Sequence, residues 1–222
     1  MTCQNAYQGV KKIFTAEVLG LIGTLCMVIV VVFGVVALVG VDAASDGATI
    51  AGGIGAVIFF LGGGIVSIVG LILLMIGTKR ASEDEPVFNT AFMYILCSLI
   101  LTVASVILNM IWPLANWDNL STTVANVFSM TATIYIIMAV QRLANRLEKP
   151  EMVSKGNTYM TLLIIAYAIQ IILRVVPVFY GPEAATSTVV SILTLAAEIF
   201  TLVAYILYLI YLGQAKKMLQ EN

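Results

Sequence analysis

Six apolar runs, each long enough to match a bilayer's thickness, decide what this chain can fold into. They occupy residues 17–40, 50–77, 88–112, 122–141, 158–180 and 187–212, and about 20 helical residues cross a hydrocarbon core about 30 Å thick. Lipid offers no partner to a free backbone N–H or C=O, so a spanning segment must satisfy its own, as a helix does. A membrane barrel strand would alternate apolar and polar residues, and these runs do not. Of the residues, 61% are hydrophobic and 10% charged, against roughly 45–50% and 25% in a soluble domain. The prediction is an all-α, polytopic membrane protein with six transmembrane helices.

The net charge of −1 conceals a strong asymmetry along the chain. Lys11 and Lys12 precede the first span, and Lys79 and Arg80 follow the second. Arg142, Arg146, Lys149 and Lys155 lie between the fourth and fifth, and Lys216 and Lys217 follow the sixth. The intervening loops carry Asp42, Asp46, Asp118 and Glu183 with no base. By the positive-inside rule both termini are cytoplasmic. The outer loops at 41–49, 113–121 and 181–186 are short, which forces consecutive spans to be neighbours. Three consecutive hairpins in a single domain over residues 1–222 are therefore expected, with a weak threefold repeat at 10–80, 87–149 and 155–217. The first run lacks the small-residue cleavage pattern of a leader and reads as a retained span.

The loops differ in character. Residues 78–86 are charged and end in Pro86, which predicts a sharp turn before a helix starting near Val87. Residues 141–149 are good helix formers, so span four should extend into the cytoplasm as an arm up to Pro150. Arg142 and Arg146 stand one turn apart on that arm, placed to meet anionic lipid headgroups or a partner, or simply to set topology. Span two is dense in glycine. Gly52, Gly53, Gly55, Gly62, Gly63, Gly64, Gly70 and Gly77 suit close helix packing, while the triplet Gly62-Gly63-Gly64 leaves open a broken helix beside a cavity.

Polar residues within the spans recur at steps of three and four, which places them on one helix face. In span six the line runs Ser187, Ser191, Thr194, Glu198, Thr201, Tyr205, Tyr208. Span three carries Ser98, Thr102, Ser105 and Asn109, and span four Thr122, Asn126, Ser129 and Thr133. Span five adds Tyr167, Gln170 and Arg174. A single Ser or Thr seam is ordinary helix packing, worth roughly 0.6 kcal/mol per interhelical hydrogen bond. Seams that also contain Asn109, Asn126, Gln170, Arg174 and Glu198 need partners or water, which lipid does not supply. A polar cavity among spans three to six is expected.

Glu198 and Arg174 are the two charges deepest in apolar sequence. Glu198 lies twelve residues past Thr186, about 18 Å along a helix and so near the midplane. Side chains lean toward the N-terminus of their helix. Spans five and six run in opposite directions, so Arg174 and Glu198 lean toward each other; the alternative for Arg174 is to snorkel to the outer headgroups. A static pair is a structural lock; a pair opened by substrate or proton is the working part of a coupled transporter.

The chain has no histidine, which removes the commonest general base and metal ligand. No cysteines have metal spacing, no serine has a histidine partner, and no phosphate-binding loop or nucleic-acid patch is present. Neither enzyme activity nor a cofactor or metal is expected. Two readings remain. One is a small secondary transporter or channel for an ion or metabolite, with Glu198, Arg174, Gln170, Asn109, Asn126, Thr194 and Thr201 at its site. The other is a non-transporting membrane partner or assembly protein, self-associated or bound to another membrane protein, in which the same pair locks the bundle.

Overall fold

The computed structural model describes residues 3–42, 46–111, 117–180 and 188–221, with side chains outside 35–53, 117–120, 122, 174–180, 188–189 and 191. Six helices follow one another: α1 (Gln4–Asp42), α2 (Asp46–Ala81), α3 (Val87–Ile111), α4 (Trp117–Arg146), α5 (Pro150–Tyr180) and α6 (Thr188–Gln220). All six are long and apolar enough to cross a membrane, and among the described residues there is no strand.

The contacts group into two units, one of residues 11–77 and one of residues 1–10 with 78–222. The first holds most of α1 and α2, joined along a seam of glycines. A Cβ added to Gly63 would stand 2.9 Å from Cys26 Cβ, one on Gly70 3.1 Å from the Ala16 carbonyl oxygen, and one on Gly55 2.7 Å from the Phe33 ring. Phe33 in turn stacks on Phe59 with centroids 5.7 Å apart. Small residues bring helix backbones together where apolar burial between helices gives no drive. Helix α2 runs unbroken through Gly62-Gly63-Gly64, so the triplet serves packing through Gly63. Added Cβ atoms on Gly62 and Gly64 would meet nothing within 4 Å.

In the second unit α3 and α4 run antiparallel. Ser98 Oγ donates to the Ala125 carbonyl at 2.9 Å, Ser105 and Ser121 hydroxyls meet at 2.6 Å, and Tyr94 stacks on Tyr135 at 5.3 Å. The seam expected on span three is thus spent, at two of its positions, on the α3–α4 contact. Helices α5 and α6 also run antiparallel, through Lys155 Nζ to Gln214 Oε1 at 3.2 Å and Tyr159 against Tyr211 at 5.7 Å. Gln141 ties α4 to α5, donating to Asn157 Oδ1 at 2.9 Å. Ile136, Ile137, Val140, Leu143, Leu163, Tyr208, Tyr211 and Leu212 are fully buried, so the tightest packing gathers toward one end of these helices.

Two turns shape that end. The α2–α3 connection is the sharp turn its sequence predicts. The Phe88 N–H donates to the Glu85 carbonyl and that of Asn89 to the Pro86 carbonyl, and Pro86 costs no hydrogen bond because first-turn N–H groups have no intrahelical acceptor. Helix α4 ends at Arg146, short of the extent expected to Pro150, and its last turns are packed rather than protruding, with Leu143 and Ala144 fully buried. Its end is a Schellman motif: the Lys149 N–H donates to the Ala144 carbonyl at 2.9 Å and that of Glu148 to Asn145 at 3.2 Å. Glu148 takes the left-handed position with φ of 55°.

Candidate functional site

A cleft with room for about 80 Å³ opens between α5 and α6, lined by Gln170, Leu173, Thr194, Ala197 and Glu198. Its polar groups are ordered from within the helices. Thr194 and Thr201 hydroxyls donate to the carbonyls one turn back, Val190 at 2.9 Å and Ala197 at 2.8 Å. Such back-bonding satisfies the hydroxyl proton and leaves oxygen lone pairs to accept. Gln170 Nε2 donates to Thr201 Oγ1 at 3.1 Å, which bridges α5 and α6 and fixes the amide at the cleft wall. Glu198 is exposed at the cleft. A carboxylate, an amide and a hydroxyl thus converge on one opening. No group of three or more His, Cys, Asp or Glu able to hold a metal occurs among the described residues.

The structure therefore brings together Gln170, Thr194, Thr201 and Glu198 from the residues singled out in the sequence. Asn109 and Asn126 are half-buried on α3 and α4 and do not line the cleft. Arg174 lies on α5 one residue past Leu173, but its side chain, and with it the pairing to Glu198, falls outside the described residues.

A second constellation lies where the α2–α3 turn, the end of α4 and the start of α1 meet. The Glu85 side chain is 0% exposed, with Arg146 Nη2 2.7 Å from Oε2 and Arg142 Nη1 3.7 Å from Oε1. The Arg146 contact is a close ion pair, yet neither carboxylate oxygen receives a well-directed hydrogen bond. Both guanidiniums stay half in solvent, their side chains 59% and 54% exposed for Arg142 and Arg146. Arg146 Nη1 also donates to the Asp84 carbonyl at 3.1 Å. On its other side Asp84 Oδ2 accepts the Ala6 N–H at 2.6 Å, serving as a cap supplied from a distance to donors that the first turn of α1 leaves unpaired. Ala6 and Val10 are fully buried there.

Arg142 and Arg146 stand out in the sequence as a pair one turn apart, whereas Glu85 and Asp84 are there only charges in a turn. The missing signal was the turn itself: Pro86 fixes the chain direction at Glu85, and an acid there faces α4 only once Arg146, 62 positions past Asp84, is brought to the turn. Compared with known protein families, with curated proteins and with solved structures, the chain matches none.

Proposed function

We propose that the chain is a multi-pass membrane protein of three consecutive hairpins with both termini cytoplasmic, acting as a small secondary transporter or channel. The observation that carries this reading is the α5–α6 cleft, where Glu198, Gln170 and Thr194 converge within helices apolar enough to cross a membrane. A carboxylate at that depth is costly unless it meets water, a partner or a substrate. The cleft supplies the opening, and the bond from Gln170 to Thr201 holds its wall in place. In this reading Glu198 engages the transported ion or metabolite, Gln170 and Thr194 orient it, and Arg174 is the neighbouring charge against which Glu198 is exchanged. No enzyme activity or cofactor is part of the proposal, and lipid is the surrounding partner.

A non-transporting role as a membrane partner or assembly protein is the second reading. It is favoured by the way the Ser98 and Ser105 hydroxyls are consumed in α3–α4 packing. A flux assay in liposomes, comparing wild type with Glu198→Gln across pH, separates the two. Transport predicts flux in wild type and its loss, at unchanged thermal stability, in the variant. If wild type passes no ion or metabolite and Glu198→Gln only lowers stability, the transport reading fails.

A further inference from the structure

We infer that Arg142 and Arg146 form a binding site for an anionic phosphate group, with the Glu85 carboxylate beneath both guanidiniums and the Asp84 carbonyl on Arg146 as positioning groups. The site stands apart from the α5–α6 cleft and shares no residue with it.

Each guanidinium has donors left to give. Arg146 donates Nη1 to the Asp84 carbonyl and meets Glu85 Oε2 through Nη2 as an ion pair without a well-directed hydrogen bond, so of its five N–H donors those aimed away from the protein remain. Arg142 has Glu85 only at 3.7 Å. Four residues apart near the end of α4, the two side chains share a face, and each keeps more than half of its surface in solvent. Two charges stand above one buried carboxylate. The carboxylate of Asp84 is turned instead to the Ala6 N–H at the start of α1, where the positive end of the helix dipole stabilises its charge.

Arginine recognises phosphate by presenting planar, forked N–H pairs. A long side chain normally gives up rotamer freedom when it binds, and one already held in place gives up less. For Arg146 the Asp84 carbonyl and the close ion pair to Glu85 supply that hold, while Arg142 meets the same buried carboxylate through charge at 3.7 Å. The position suits a headgroup as well, because the apolar run of span four stops at residue 141, which sets Arg142 and Arg146 within the next turns, where a span emerges from the hydrocarbon into the phosphate layer.

Preorganisation and net charge predict opposite results for one substitution. Glu85→Gln removes a negative charge and loosens both arginines. If bulk charge governs binding, the variant binds an anion more tightly; if positioning governs it, the variant binds more weakly. The test uses the full chain in detergent micelles, scoring retention of dioleoylphosphatidylglycerol against dioleoylphosphatidylcholine by native mass spectrometry. Wild type is expected to prefer the anionic lipid, and Glu85→Gln to hold it about tenfold more weakly. The double variant Arg142→Lys/Arg146→Lys keeps the charge but not the forks and is expected to lose a similar factor. It decides the matter if Glu85→Gln does not fold. Equal or tighter binding by Glu85→Gln, or unchanged binding by the double lysine variant, overturns the site. Inorganic phosphate separates the sources: if it protects wild type against thermal unfolding as well as the lipid does, the ligand is free phosphate; if only the lipid protects, the ligand is a headgroup; if neither does, the site is overturned.

Discussion

At the Glu85 cluster the carboxylate is buried while both arginines keep about half of their surface in solvent, and this inequality sets which substitution costs more. Arg146→Ala leaves a buried carboxylate with only Arg142 at 3.7 Å, which should cost about 3 kcal/mol. Glu85→Ala leaves two arginines that water can solvate, so the expected loss is smaller, about 1–2 kcal/mol. Chemical unfolding in micelles measures both, and the reverse order would show that Glu85 is not stabilised mainly by Arg146. The order was not legible in the sequence. An acid in a turn and a base on a helix acquire unequal burial only through the packing of elements distant along the chain. Thr194 and Thr201, by contrast, were legible as members of a line, because helical spacing is local. Their back-bonding to Val190 and Ala197 was not, since an outward hydroxyl and an inward one share the same spacing.

The helices themselves were read with little error, since length and apolarity are properties of a segment alone. Their ends were harder. Helix α4 stops at Arg146 because Glu148 adopts the left-handed conformation, which the good helix formers of that stretch gave no reason to expect. Glycine takes that conformation without the steric cost of a Cβ. Glu148→Gly should therefore stabilise the fold by about 1 kcal/mol, visible as a rise in thermal midpoint, whereas a fall would mean that its side chain carries weight in the turn. Within α2, adjacent glycines give an internal control. Gly63→Ala places a methyl 2.9 Å from Cys26 Cβ and should destabilise the α1–α2 pair. Gly64→Ala meets nothing within 4 Å and should stabilise the helix by up to about 1 kcal/mol through better propensity. Equal effects at both positions would mean that the seam is not closely packed. The many glycines of span two announced the seam; which of them touch α1 depends on helix rotation, and only the structure supplies that.

For the whole molecule, six membrane-length helices follow from sequence, while sidedness rests on the distribution of charge. All Lys and Arg residues except Arg174 lie at loops or tails of one parity, which predicts that a single cysteine placed at Glu148, with Cys3, Cys26 and Cys97 replaced, is shielded from an impermeant thiol reagent in intact cells and labels only after permeabilisation. Labelling from outside would invert the topology. The capping of α1 by Asp84 also bears on how such a chain comes to be made. The Ala6 N–H waits for an acceptor 78 residues further on, and that acceptor's turn is held in part by Arg146. The first turn of α1 is therefore fully bonded only when the α2–α3 turn has docked on it, so its last bond is a product of tertiary assembly rather than of the helix that carries it.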